Sequence, residues 1–265
     1  MAKPKITKKT STKHTTYLPN KKNNWIVVHY TAGVSSKAGT AAGVANYFAH
    51  SNVDASADFI VDDATIVQYN PDPAKYYTWA VGGTKYATQS TSEGGKYYGT
   101  CNNKNSISIE MCSSKKNTKS LKVTDKDWYI TDKVIDNTIE LVKYLMDKYN
   151  IDADHVIMHH HVTGKWCPQP WTYNEKALAG WKEFKKKLKS KKKEDSKIEP
   201  EENSLFMVKV TVDKANIRSG PSTNDPIVDT ITDKGIYTIV ETKGNWGRLK
   251  SGKGWTYLKG KTERL

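Results

Sequence analysis

The chain has 265 residues, of which 37% are hydrophobic, and this length accommodates one medium-sized domain together with a small one. No stretch approaches the ~18 apolar residues of a membrane-spanning helix, so we expect no membrane span. The basic N-terminal segment, residues 1–23, lacks the apolar centre of a secretory signal, and we therefore expect synthesis in the cytoplasm without a signal peptide.

The formal net charge of +14 indicates attraction to an acidic partner or surface. Basic residues concentrate in residues 1–23 and 181–193, and the sequence contains no motif of the common nucleic-acid-binding folds. We therefore expect no nucleic-acid partner. A solvated helix end followed by a linker accounts for the second cluster equally well.

Strand and helix patterns alternate between residues 24 and 188, which predicts an α/β domain with a central mixed β-sheet flanked by helices. Short apolar runs predict strands at 25–30, 57–61, 65–69, 106–111 and 155–159. Helical spacing predicts a helix over 124–149, capped by Thr124, and a shorter one over 173–188. Residues 78–104, rich in glycine, serine and tyrosine, are expected to form long loops that wall a groove.

The composition changes after residue 188. Residues 189–203 hold one isoleucine among charged and polar residues, a composition typical of a linker. Residues 204–265 show short strand patterns separated by turn residues, which predicts a small all-β barrel. Within it, ANIRSGPS (215–222) and WGRLKSGKGWTYL (246–258) resemble the bacterial SH3-like domains appended to wall hydrolases. Since this segment contains no catalytic constellation, the resemblance implies a binding role.

Candidate metal ligands lie in HHHVTGKWCP, residues 159–168, where imidazoles, a lysine and a cysteine stand close together. A further histidine, His29, ends the apolar run WIVVH. Imidazole and thiolate are zinc ligands, and three protein ligands that leave one position open are typical of a catalytic zinc site. Alternation along the predicted strand at 155–159 turns His160 to the opposite face from His159.

Three motifs carry a resemblance to a known family: VVHYTAG at 27–33, NSISIEMC at 105–112 and HHHVTGKWCP at 159–168. In this order they resemble the zinc N-acetylmuramoyl-L-alanine amidases of phages and bacteria, the type-2 amidases, whose superfamily includes the peptidoglycan recognition proteins. The match spans roughly residues 20 to 185. The proline that follows the cysteine is a feature of the phage members, so the chain resembles phage endolysins in this respect.

The resemblance implies a role for each matching residue. His29, His159 and Cys167 are the expected Zn²⁺ ligands. Glu110 matches the acidic residue of the family's amidases, and Lys165 matches a lysine that stabilises the transition state. Alternation along the strand at 106–111 places Ser106, Ser108 and Glu110 on one face, which we expect to look into a polar groove.

Two positions depart from the family pattern. Asp58 stands where many members have histidine, and His161 stands where many have aspartate; neither is an expected ligand. Cys101 and Cys112 remain once Cys167 is assigned to zinc, and we expect both to be free thiols.

The function implied is hydrolysis of the amide between N-acetylmuramic acid and L-alanine in peptidoglycan, after release of the enzyme to the cell wall. The positive charge suits the anionic Gram-positive wall, which the C-terminal domain is expected to bind. Two alternatives stay open: a zinc peptidase that cuts within the stem peptide, and a non-catalytic peptidoglycan receptor of the same fold. A receptor is expected to lose a metal ligand, whereas this chain retains all three.

Overall fold

The computed structural model describes residues 3–190 and 206–264, which belong to two compact units. Residues 3–190 form the N-terminal unit, and residues 206–264 form the C-terminal unit. The predicted linker at 189–203 lies outside the described residues apart from Lys189 and Ser190. Within the described ranges, no helix combines the length and the apolar character that crossing a membrane requires.

The N-terminal unit is built from short strands and five α-helices within residues 3–190. The strands are β1 (Ile6–Lys8), β2 (Thr15–Tyr17), β3 (Trp25–Tyr30), β4 (Phe59–Val61), β5 (Ile66–Gln68), β6 (Tyr76–Thr78), β7 (Ser106–Met111), β8 (Ser114–Lys115), β9 (Trp128–Tyr129) and β10 (Val156–Met158). The helices are α1 (Thr40–His50), α2 (Asp132–Tyr149), α3 (His159–Thr163), α4 (Gln169–Thr172) and α5 (Leu178–Lys189). Short 3₁₀ turns occur at Asn103–Asn105, Ala153–His155 and Glu175–Ala177.

A six-stranded mixed sheet forms the centre of this unit, in the order β1-β5-β4-β7-β3-β10. Strand β3 runs parallel to β7 and to β10, whereas β4 and β5 are antiparallel. All six residues of β3 are buried, as expected for a central strand covered on both faces. The predicted α/β fold with a mixed sheet flanked by helices is therefore confirmed.

The two faces of the sheet are covered differently. On one face, Ile26 and Val28 of β3 pack with α2 and α5 in the largest apolar core. On the other face, Trp25 and Val27 pack with the loops that follow β6, and α1 packs over β4 and β5. Because side chains alternate along a strand, His29 lies on this second face.

Helix α2 begins later than predicted. Its N-cap is Thr131 rather than Thr124, and the Thr131 hydroxyl accepts a hydrogen bond from the amide of Val134 at 3.3 Å. Ahead of it, Trp128 is buried and its indole N–H donates to the Lys122 carbonyl at 3.0 Å. Trp128 belongs to β9, which pairs with β8, and this pairing keeps the residues before 131 out of the helix.

Two other predicted elements are also corrected. The strand predicted at 155–159 covers only Val156–Met158, and His159 is the first residue of helix α3. The alternation that was expected to separate His159 from His160 therefore does not apply. The helix predicted at 173–188 begins at Leu178, because the side chain of Asn174 caps the preceding 3₁₀ turn by accepting from the amide of Ala177 at 3.0 Å.

The basic segment 1–23 and helix α1 were not recognised as structured from the sequence. Strand β1 pairs with β5 in the central sheet, and β2 pairs with β6, so the described part of this segment, residues 3–23, contributes to the fold of the N-terminal unit. Helix α1 follows Gly39, whose φ of 91° is left-handed. Its amide at Ala41 is capped by the Asp62 carboxylate at 2.9 Å, a partner 21 residues away that no local pattern reveals.

The C-terminal unit consists of seven strands in residues 206–264. They are β11 (Phe206–Val210), β12 (Ala215–Arg218), β13 (Ile227–Ile231), β14 (Ile236–Lys243), β15 (Trp246–Leu249), β16 (Trp255–Tyr257) and β17 (Thr262–Arg264). All pair antiparallel, in the order β13-β12-β16-β15-β14-β11-β17, around a small aliphatic core. The all-β prediction is confirmed, and the architecture is consistent with an SH3-like domain.

Candidate metal centre and active site

Three candidate ligands converge at one edge of the central sheet. His29 lies near the carboxyl end of β3, and His159 directly follows the neighbouring parallel strand β10. Cys167 lies between α3 and α4. The ligand atoms of the three side chains all lie within 4.8 Å of one another, and Sγ of Cys167 is 3.8 Å from Nδ1 of His29.

The chemistry of this donor set fits a soft divalent cation such as Zn²⁺. All three side chains are buried, yet Nε2 of His29 and Nε2 of His159 have no hydrogen-bond partner. Buried polar atoms are normally paired, so two orphaned nitrogens beside a thiol indicate a place for a metal ion. Burial, with a smaller contribution from nearby positive groups, lowers the pKa of His159 to about 3 and that of His29 well below its usual value, which keeps both imidazoles in the neutral ligand form.

Backbone groups orient two of these side chains. His159 hydrogen-bonds to the backbone carbonyl of Gly82, which leaves Nε2 as its free nitrogen. The backbone amide of Tyr30 donates to Cys167. Burial raises the pKa of the Cys167 thiol to about 12, and the negative charge of Glu110 adds to this effect. The thiol therefore needs a bound cation in order to lose its proton at neutral pH.

Glu110 lies beside the candidate metal centre through strand pairing. It is the register partner of His29 between β7 and β3, so both side chains project from the same face. Its Oε2 is buried without a hydrogen-bond partner, and burial raises the pKa of this carboxyl to about 7, against the opposing effect of Lys165. A carboxyl with a pKa near neutrality is suited to accept and return a proton.

Lys165 is exposed and lines a cavity of about 510 Å³ with Gly82, Gly83 and Thr163. The same three neighbours line a second cavity of about 470 Å³, which extends towards Tyr98. These cavities run along residues 79–102, which form loops without regular secondary structure. An open groove thus leads to Lys165. The positive charge of Lys165 contributes to the lowered pKa values of His29 and His159.

His160 and His161 are buried and hold the surrounding loops rather than joining the ligand set. Nδ1 of His160 faces the backbone carbonyl of Lys165, and Nε2 lies 2.8 Å from the Thr91 hydroxyl. Nδ1 of His161 accepts from the Met158 amide at 3.0 Å, and Nε2 lies 2.8 Å from the Glu93 carboxylate. The run of three histidines was the only sequence signal for these contacts.

Asp58 is fully buried and is hydrogen-bonded to β7. Its carboxylate accepts from the backbone amide of Ser108 at 2.7 Å, from the side-chain amide of Asn70 at 2.6 Å and from the Thr78 hydroxyl at 3.0 Å. The expectation that Ser106 and Ser108 look into a polar groove is wrong, because both are 2% exposed beneath the loops. Of the residues on that face, Glu110 alone adjoins the metal centre.

The other two cysteines lie outside the site. Cys101 and Cys112 are buried, and both are free thiols, as expected. Burial raises the pKa of the Cys101 thiol to about 12 and raises that of Cys112 further. Neither therefore carries a reactive thiolate at neutral pH.

Comparisons with known proteins support the same family. The family model described as "N-acetylmuramoyl-L-alanine amidase" matches residues 19–170. The N-acetylmuramoyl-L-alanine amidase BlyA of Bacillus subtilis (strain 168) is 28% identical over 256 residues, which cover 87% of this chain and 64% of that protein. The N-acetylmuramoyl-L-alanine amidase CwlL of Bacillus licheniformis is 33% identical over 88 residues, which cover 33% of this chain and 21% of that protein. The chain thus matches less than two thirds of the length of these relatives.

Two solved structures also match this chain, with lower sequence identity than the curated relatives. The structure of PlyL is 26% identical, with a TM-score of 0.49, and the match covers 71% of this chain and 98% of that chain. The PlyG catalytic domain is 26% identical, with a TM-score of 0.48, and the match covers 70% of this chain and 94% of that chain. Since both scores are below 0.5, the family assignment rests on the sequence match. That match covers more than half of the chain, and the protein belongs to the N-acetylmuramoyl-L-alanine amidase family, whose members are zinc-dependent in general.

Proposed function

We propose that this protein is a zinc-dependent N-acetylmuramoyl-L-alanine amidase that cleaves the amide between the lactyl group of N-acetylmuramic acid and the first L-alanine of the stem peptide. Its family and the names of its relatives support this activity. The observation that carries the proposal is the convergence of His29, His159 and Cys167 beside Glu110, which lies in register with His29.

His29, His159 and Cys167 would hold the Zn²⁺. When bound, the ion supplies Lewis acidity, which lowers the pKa of water and polarises the scissile carbonyl. The protein contributes neutral imidazoles, a thiol positioned by the Tyr30 amide, and burial of all three ligand side chains.

Glu110 is the proposed general base and acid. Its carboxylate takes a proton from the attacking water as the water oxygen bonds to the carbonyl carbon. When the C–N bond breaks, Glu110 returns the proton to the leaving amine of L-alanine. The electron pair displaced onto the carbonyl oxygen creates a negative charge, and the ammonium of Lys165, which lines the groove, stabilises it electrostatically.

The domain layout and the wall partner are part of the same proposal. Residues 24–188 hold the proposed catalytic site, residues 189–203 connect the two units, and residues 204–265 bind the anionic Gram-positive wall. We infer that the enzyme acts on peptidoglycan outside the cytoplasm after release. The excess of basic residues supports attraction to a polyanionic wall.

Product analysis tests this function against the two alternatives. Purified sacculi are digested, and the new termini are identified by mass spectrometry. Release of L-alanine amino groups and intact lactyl carboxylates supports the amidase. New termini within the stem peptide would instead identify a peptidase, and binding without any new termini, with zinc bound, would identify a receptor.

A further inference from the structure

The C-terminal unit carries a cavity of about 310 Å³ whose lining combines aromatic, amide and cationic side chains. Its lining includes Asn216, Arg218, Trp246, Tyr257 and Lys261. A concave site with flat apolar surfaces and a few convergent polar groups is the usual form of a ligand site.

The aromatic part of this cavity is fixed by strand pairing. Trp246 of β15 and Tyr257 of β16 are register partners, so their rings project from the same face of the sheet. Their ring centroids lie 5.2 Å apart at an interplanar angle of 74°, and both side chains are partly exposed. Rings held in this way present a preformed surface for the apolar C–H faces of a sugar or polyol.

The cationic part lacks compensating acids. No residue that lines the cavity is acidic, and within residues 206–264 neither Arg218 nor Lys261 has a carboxylate partner. Three other basic side chains of the same unit are neutralised, in the pairs Lys234–Asp213, Arg248–Glu241 and Lys253–Asp229, with distances of 2.9, 3.1 and 2.8 Å.

A second cavity on this unit has acidic as well as basic side chains in its lining. Its volume is about 330 Å³, and its lining includes the ion pair between Lys253 and Asp229 as well as Asp233. The two cavities are similar in volume, but of these two only the first has basic lining residues without acidic ones. The unit as a whole carries eleven basic and six acidic residues, and this excess favours an anionic ligand.

We propose that the cavity formed by Arg218, Trp246, Tyr257 and Lys261 binds a phosphate-bearing polyol or sugar unit of a wall polymer. This inference rests on the proposed wall-binding role of the C-terminal unit and names its ligand class. The guanidinium and the ammonium bind the phosphate oxygens, and the rings contact the carbon skeleton. A phosphodiester-linked polyol presents both chemistries in every repeat, whereas a stem peptide does not.

The test compares two double variants of the full chain that lose the same number of positive charges. Arg218→Gln with Lys261→Gln removes the unpaired cations of the cavity. Arg248→Gln with Lys253→Gln removes cations that are paired with carboxylates elsewhere on the same unit. Binding is measured by brief cosedimentation at low temperature with Gram-positive walls, either intact or stripped of phosphodiester-linked polymers by hydrofluoric acid.

We expect the first double variant to bind intact walls about tenfold more weakly than the parent, and the second to stay within about twofold. The parent should lose affinity for stripped walls, and soluble polyglycerol phosphate should compete, whereas soluble muropeptides should not. Arg218 also donates to the Asp225 carbonyl, so its substitution could disturb the fold. Lys261→Gln alone and Trp246→Leu leave that contact intact, and each should still weaken binding.

Three outcomes would overturn the proposal. Equal weakening by the two double variants would show that only net charge matters. Undiminished binding to stripped walls, or competition by muropeptides, would assign the unit to peptidoglycan itself. Hydrolysis of soluble muropeptides by the parent is measured in parallel, so that failure of the ligand assignment is distinguished from failure of the proposed amidase function.

Discussion

Nδ1 of His160 lies 2.9 Å from the backbone carbonyl oxygen of Lys165 and 3.1 Å from that of Gly164. Because two acceptors face this nitrogen, it carries the proton, and Nε2 accepts from the Thr91 hydroxyl at 2.8 Å. The backbone amide of His160 also donates to the carbonyl of Cys167 at 2.9 Å. His160 therefore positions the short segment that carries both the candidate catalytic lysine and a candidate metal ligand.

Substitution of His160 tests this positioning role. An asparagine side chain can place an N–H close to the position of Nδ1, whereas the longer glutamine reaches towards the position of Nε2. We expect His160→Asn to retain more zinc affinity and turnover than His160→Gln, which should lose about 10- to 100-fold. Zinc titration and kcat on soluble muropeptides measure the difference. Equal losses in the two variants would mean that His160 contributes only bulk packing.

Cys167 is tested by two replacements that differ in their ability to bind a metal. Cys167→Ser should lose zinc and activity, because a neutral hydroxyl is a poor replacement for thiolate. Cys167→Asp should retain part of both, because carboxylate is an acceptable zinc ligand. Metal content by mass spectrometry and hydrolysis of muropeptides provide the measurements. Full zinc content in the serine variant would remove Cys167 from the metal centre.

Glu110→Gln separates proton transfer from metal binding. Glutamine preserves the shape of the side chain but cannot take up and return a proton, so kcat should fall by about 10²- to 10⁴-fold. Zinc content and wall binding should remain close to those of the parent. Turnover within about threefold of the parent would contradict the assigned role, and loss of zinc would place Glu110 among the metal ligands.

The raised pKa of Glu110 also predicts a pH-dependent stability difference in the metal-free protein. Folding raises this pKa from 4.5 to about 7, so the carboxyl favours the folded state below pH 4.5, and this contribution is lost as the pH rises to 7. The stability of Glu110→Gln relative to the parent should therefore increase over this range by up to about 3 kcal/mol. Hydrogen exchange of the β3 and β7 amides in chelator measures it, and a pH-independent difference would contradict the raised pKa.

A fragment that ends near residue 190 tests the independence of the two units. Because the N-terminal unit has its own core, the fragment should fold, bind zinc and hydrolyse soluble muropeptides at the rate of the full chain. Its affinity for intact walls should be lower, since tethering to a wall-binding unit raises the local substrate concentration. Cosedimentation compares the two proteins. Equal wall binding would assign the C-terminal unit another task.

The sequence by itself determined the elements whose signals are local. The continuous apolar run at Trp25–Tyr30 and the alternating run at Ser106–Met111 predicted strands with the observed bounds, because both patterns are local signals of residues that pack against a sheet. The motif around Cys167 contains two of the three donors that the structure brings together, and the resemblance to the amidase family singled out His29 as the third. Chemistry concentrated in one short segment is visible without knowledge of the fold.

Only the tertiary structure decided which distant groups meet. The pairing of β3 with β7 sets Glu110 beside His29, and the Asp62 carboxylate begins α1 from 21 residues away. The pairing of Trp128 with Lys115 between β9 and β8 precedes α2 and delays its start, and the Thr91 hydroxyl gives Nε2 of His160 a partner 69 residues away. These outcomes depend on strand register and on hydrogen bonds between residues far apart in sequence, and the free energy of such contacts is absent from any local window.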